Sequence, residues 1–175
     1  MSVPAYVPPP LQGQCLCGQV KFEVRTRHLR LYQCHCSLCR RQSGSSSNTA
    51  ALVPLGQFRW LAGEKKVRSW VKDSGFRSDF CRTCGSPVPN QVRDLPMMWV
   101  PAGLLDEGEG LSVAAHLCLS SSAPWDQPRS RASVTRRYRP WKNCSSWCCR
   151  VKRRVWRQEL QHGGVELIHI HRLVH

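Results

Sequence analysis

A chain of 175 residues, 41% of them hydrophobic, supports one domain with a real core and is too short for two full ones. Its formal charge of +15 is uneven: residues 1–128 carry +5 and residues 129–175 carry +10. No basic start followed by an apolar run opens the chain and no apolar stretch is long enough to span a bilayer, so neither a secretory signal nor a membrane span is expected, and a cytoplasmic protein is.

Residues 1–10 read as a proline-rich leader, ending in Pro8-Pro9-Pro10. Gln19 to Val24 then alternates, with Val20, Phe22 and Val24 on one side and Lys21 and Glu23 on the other, as a half-buried strand does. A short helix is expected from Ser37 into Arg40-Arg41-Gln42. Further β-like runs follow at Ala50–Val53, Phe58–Leu61, Lys66–Lys72, Phe76–Phe80, Met97–Val100 and Val113–Leu119, separated by Gly, Pro, Asp or Ser. No long amphipathic helix precedes residue 128. The expected fold is mainly β, built of antiparallel strands, with Trp60, Trp70, Trp99 and Trp125 in the core or a pocket wall.

Beyond residue 128 the composition shifts to Arg, Trp, Cys and Ser, as in Arg136-Arg137-Tyr138-Arg139-Pro140-Trp141. No strand pattern is sustained there, and Val151 to Leu160 has only weak helical character. Residues 129–175 therefore read as an irregular basic tail. Charges interleaved with Trp141, Trp147 and Trp156 suit weak binding of nucleic acid or another polyanion. The same composition is what a reading-frame shift in a GC-rich gene produces, which gives the tail a second reading without function. Cys144, Cys148 and Cys149 with the C-terminal histidines would then bind metal only adventitiously.

Seven of the eleven cysteines fall in the first half of the chain, at Cys15, Cys17, Cys34, Cys36, Cys39, Cys81 and Cys84. In a reducing cytosol such spacing points to metal ligands rather than disulfides, and the odd total fits pairing poorly. Structural zinc takes four ligands, and a catalytic zinc takes three and keeps one position open. Seven is their sum. Cys81-Arg82-Thr83-Cys84-Gly85 resembles a zinc knuckle, in which glycine permits the tight turn. Cys118 reads as a small buried hydrophobe.

Four motifs in order resemble the glutathione-dependent formaldehyde-activating enzyme family, which also includes centromere protein V: Gly13-Gln14-Cys15-Leu16-Cys17-Gly18, Cys34-His35-Cys36-Ser37-Leu38-Cys39-Arg40, Phe80-Cys81-Arg82-Thr83-Cys84-Gly85-Ser86 and Ser122-Ala123-Pro124-Trp125-Asp126. The resemblance covers residues 11–128 and leaves the tail outside. It implies a coiled antiparallel β fold around zinc, similar to methionine sulfoxide reductase B. It also implies two zinc ions per chain, one closed by Cys15, Cys17, Cys81 and Cys84, the other held by Cys34, Cys36 and Cys39 with an open position. The implied activity is that of a carbon–sulfur lyase, acting on the adduct of a small thiol such as glutathione with an aldehyde such as formaldehyde, with Cys34, Cys36 and Cys39 as the catalytic set. A non-catalytic, zinc-stabilised binding module using the basic tail is the alternative. Methionine sulfoxide reduction is weaker still, because metal binding leaves no thiol pair for it.

Three thiolates on one Zn²⁺ leave a net negative charge that nearby cations must offset. Arg40, Arg41 and Arg77 are the candidates, and each could also grip a carboxylate of glutathione. His35 could serve as general base, supporting partner or replacement ligand. Alternation in an extended Cys-x-Cys segment turns it away from its neighbours and argues against direct ligation. Ser43 to Ser47 form either a pocket lining or a solvated loop.

Overall fold

Alternation along Lys21–Val24 places Phe22 and Val24 fully out of solvent. In a computed structural model, which describes residues 9–26, 29–93, 95–106 and 111–126 and the backbone of 133–134, this segment is β2. It pairs antiparallel with β1 (Leu11–Gln14) and with β5 (Phe58–Ala62), forming a three-stranded sheet. Glu23, expected on the solvent side, is 3% exposed. The guanidiniums of Arg59 and Arg25, themselves largely exposed, lie at 2.9 and 2.8 Å from it and hold its carboxyl below the usual range, so the buried charge is met at the surface by two cations.

A six-stranded sheet forms the centre, in the order β11-β10-β3-β4-β9-β8. Its strands are β3 (Arg30–Cys34), β4 (Asn48–Pro54), β8 (Asn90–Gln91), β9 (Met97–Pro101), β10 (Ser112–Leu117) and β11 (Ser133–Val134). The strands are mostly antiparallel, as expected, and the exception is β10, which runs parallel to β3 and to β11. The reason is topological. β3, β4 and β9 alternate in direction, so β9 and β10 point the same way with two strands between them, and parallel strands need a crossover connection. On leaving β9 the chain touches β1, through the Gly13–Leu105 bridge and the Asp106 N–H to Gln12 carbonyl bond of 2.9 Å.

This sheet is covered on both faces, so its strands carry apolar residues without alternation. Leu31, Ala51, Val53, Met98 and Val100 pack with Phe22 and Val24 of the small sheet. Tyr32, Cys34, Ala50, Trp99, Ala115 and Leu117 face the other way, with Cys39 of the helix α1 (Ser37–Ser43). A bulge between Val113 and Ala115 lets these two residues of β10 serve opposite faces.

Strands β6 (Val67–Val71) and β7 (Arg77–Cys81) form a separate hairpin. With no sheet against β6, Trp70 is 54% exposed, which corrects its expected place in the core or a pocket wall. Trp99 is buried, and Trp60 packs edge-on against Phe22 and Phe58. Residues 1–8 of the leader and, apart from β11, the basic tail from 129 lie outside the described residues. The nucleic-acid and frame-shift readings fall there too. Among the described residues no helix is long and apolar enough to cross a membrane.

Candidate metal centres

The seven cysteines divide into two groups, in each of which all sulfurs lie within 4.8 Å of one another. The first joins Cys15 and Cys17, in the turn after β1, to Cys81 at the end of β7 and Cys84 in the following turn. The sulfurs of Cys15 and Cys17 are 3.5 Å apart and those of Cys17 and Cys81 3.8 Å. Four sulfurs at about 2.3 Å from a tetrahedral zinc are about 3.8 Å from each other, so this donor set fits that ion. The two loops are tied together by Ser86. Its hydroxyl accepts from the Leu16 N–H at 3.0 Å and lies 3.3 Å from the Cys84 sulfur.

Local donors prepare part of this group for a cation. Ser86, through its hydroxyl and its N–H, brings the Cys84 thiol down to about 6. Burial works against Cys81, but the N–H groups of Cys84 and Thr83 bring that thiol below its usual value. Cys17 is pushed up to about 12: the Gln19 backbone favours its thiolate, but desolvation and the crowding sulfurs of Cys15, Cys84 and Cys81 outweigh it. Gly85, at φ 75°, makes the knuckle turn in the left-handed region as its glycine suggests.

The second group hangs on the junction of β3 and α1. Cys34 closes the strand and Cys36 caps the helix, its sulfur accepting from the Cys39 N–H at 3.4 Å, while Cys39 occupies the first turn. Cys34 and Cys39 are buried and Cys36 is half-buried. Cys34 and Cys36 crowd the Cys39 thiol and burial adds to them, raising it far above the ordinary range. Thiols packed this closely can ionise together only around a cation, so this trio too fits zinc.

His35 turns away from both neighbours. Its Nδ1 lies 2.6 Å from Asp126 Oδ2 and its Nε2 2.9 Å from His116 Nδ1. Burial and the neighbouring His35 hold His116 below the usual imidazole value, so His116 is neutral. His35 Nδ1–H donates to Asp126, and the direction of the His35–His116 bond follows from the protonation of the two rings. His116 and Cys118 enter the site with no signal in the sequence. Asp126 stood in the last motif without a role.

A cavity of about 310 Å³ opens beside α1, lined by Ser37, Arg40, Arg41, Gly44, Ser45 and Trp125. Arg40 Nε is buried and has no hydrogen-bond partner among the described residues. Of the Ser43 to Ser47 segment, Ser45 faces the cavity, whereas the Ser43 hydroxyl bonds the Cys39 and Ser47 carbonyls, each at 3.0 Å. Arg77 is elsewhere. Its guanidinium forks onto Asp79 at 2.7 and 2.8 Å and donates to Ser69, and it does not line the cavity.

A family model described as glutathione-dependent formaldehyde-activating enzyme matches residues 10–121. The chain belongs to this family. Among solved structures, the chain is similar to a Rhodobacter sphaeroides protein determined as a structural genomics target. The two share 28% identity over 57% of this chain and 91% of that one, with a TM-score of 0.46. In this member of the family, the knuckle group sits on the β1 and β7 loops and the trio on the junction of β3 and α1, whose helix also supplies Ser37, Arg40 and Arg41 to the cavity.

Proposed function

We propose that the protein is a zinc-dependent enzyme of the carbon–sulfur lyase type, making or breaking the adduct of a small thiol and an aldehyde, nominally glutathione and formaldehyde to S-hydroxymethylglutathione. The observation that carries this reading is the buried Nε of Arg40, unpartnered among the described residues, on the wall of a cavity that also presents Arg41 and Ser37, the residue after Cys36. A buried donor without a partner favours a ligand that brings an acceptor. A tripeptide with two carboxylates brings several.

In this reading Cys15, Cys17, Cys81 and Cys84 hold a structural zinc, and Cys34, Cys36 and Cys39 hold a second one with a position free. Zinc bound by the trio favours the thiolate form of an incoming thiol near neutral pH. Arg40 and Arg41 fork onto its carboxylates and offset the negative charge of three thiolates. Trp125, 72% exposed at the rim, covers the peptide once bound. The sulfur then forms a bond to the aldehyde carbon, the carbonyl pair moves to oxygen, and the thiol proton ends on that oxygen with nothing oxidised. Arg77 is the weakest member of the expected substrate set because Asp79 takes its fork. Thiol ligands persist in a reducing compartment, which supports a cytoplasmic location.

Exchange NMR of labelled formaldehyde with glutathione tests the reading. Zinc-loaded protein should speed formation of the hydroxymethyl thioether, and Cys36→Ser should lose both the acceleration and one of the two zincs while keeping the fold. A two-zinc protein that neither binds glutathione nor speeds exchange sinks it.

A further inference from the structure

Cys118 is the one thiol of the described region that neither metal group uses. Its sulfur lies 3.8 Å from that of Cys34, the edge length of a tetrahedral four-sulfur site, and it is 4% exposed in the same buried cluster as Cys34 and Cys39. The backbone delivers it there. Strand β10 runs parallel to β3 with Leu117 opposite Cys34, and the His35 N–H donates to the Leu117 carbonyl at 3.0 Å, so the next residue stands beside the trio. That residue has φ 58° and ψ 38°, a left-handed conformation a non-glycine residue holds only at a cost. The turn into the following 3-10 segment is fixed by the Ser121 N–H to Cys118 carbonyl bond of 2.9 Å.

Resting on the assignment of a metal to the trio, we propose that Cys118 is a fourth, displaceable ligand of that site, closing the free position until an external thiol takes it. Cys118 touches the Cys34 edge but does not join the set of sulfurs mutually within 4.8 Å. A thiol so placed reaches the ion only by a side-chain rotation, and it gives way to a better-placed competitor. A closed four-thiolate state shields the metal in the resting protein. The entering thiol passes its proton to the departing Cys118 thiolate, so one sulfur replaces another without a change in the charge or coordination number of the site.

Cadmium NMR of the full chain loaded with that metal separates the two sites as two resonances. The expected result is both resonances in the four-thiolate region, with only the second moving to the three-thiolate region in Cys118→Ala and returning when glutathione is added. The same variant should lose its second metal to a chelator about tenfold more readily and yet bind glutathione more tightly, because the internal competitor is gone. Cys118→Ser keeps the side-chain volume and should behave like Cys118→Ala if the latter folds poorly. A second resonance that does not move in either variant overturns the proposal and leaves the trio as a three-thiolate site. The absence of a second resonance in the unaltered, folded protein overturns both this proposal and the reading on which it rests.

Discussion

His35 Nδ1 and Asp126 Oδ2 are 2.6 Å apart, although 91 positions separate them in the chain, and their side chains are 2% and 12% exposed. The pair ties the residue between two thiols of the trio to the Pro-Trp-Asp motif at the other end of the domain. Replacing Asp126 by Ala leaves a buried imidazole N–H unpaired, which costs about 1.5–3 kcal/mol and lowers Tm by about 5–10 °C. Asp126→Asn retains an acceptor and should lose less. Zinc analysis of the folded variants checks the local reading. The trio should lose metal to a chelator first, and equal loss from both sites would mean the bond supports the whole domain rather than this junction.

Acid should empty the two sites in order. Ligand thiols must be deprotonated, so a site whose thiols are more acidic competes with protons down to lower pH. The knuckle group contains Cys84, brought down to about 6 by Ser86, and Cys81, also lowered, against one raised thiol, Cys17 at about 12, whereas in the trio Cys39 is raised far above the ordinary range by Cys34, Cys36 and burial. On stepwise acidification one zinc should leave at a higher pH, and Cys36→Ser should abolish that step alone. His116 adds a slope of the same sign: its lowered value means the unfolded chain binds the extra proton, so stability falls as pH drops below about 6.5. Release of both ions in a single step contradicts the difference between the sites.

Spacing alone identified seven thiols as ligands, because one or two residues between cysteines already bring sulfurs onto one turn. Their division into four and three came from the resemblance, since Cys17 and Cys81 meet only once β1 and β7 are placed. Strands that alternate, such as Lys21–Val24, or that form an apolar run, such as Met97–Pro101, were legible. β1 was not, because Gln12-Gly13-Gln14 has neither pattern, and β8 is only two residues long. β3 was missed for another reason: buried on both faces, Arg30–Cys34 does not alternate. The neighbours of the trio depend on the parallel pairing of β3 with β10, which brings His116 to His35 and Cys118 to Cys34. No local pattern encodes that register.

Arg40 and Arg77 should part company in binding measurements. Arg40→Ala removes a cavity donor and should weaken glutathione binding by about 10- to 100-fold, the range for a hydrogen bond to a charged group, with little change in Tm. Arg77→Ala instead strands Asp79, which is 3% exposed, and should lower Tm while the glutathione Kd moves by less than about threefold. Calorimetric titration beside thermal melts distinguishes them. A large loss of affinity in Arg77→Ala at unchanged Tm would restore that residue to the substrate set.

Two glycines near the knuckle group share a backbone conformation and differ in what surrounds them. Gly85 and Gly63 both have φ 75°, but a Cβ on Gly85 meets nothing within 4 Å, whereas one on Gly63 would sit 2.0 Å from the Gln19 carbonyl oxygen and 3.0 Å from the Val20 Cα. Gly85→Ala therefore costs only the left-handed strain, about 1–2 kcal/mol. Gly63→Ala adds a clash with main chain that cannot rotate away, and the Gln19–Val20 segment it displaces carries the Val20 N–H that donates to the Cys15 sulfur at 3.3 Å. Its cost should exceed about 3 kcal/mol, and knuckle zinc should be lost with it while the trio keeps its own. Equal melting temperatures for the two variants would mean that the β2 and β5 ends separate freely, and that the knuckle group does not depend on the close approach of Gly63 to Gln19.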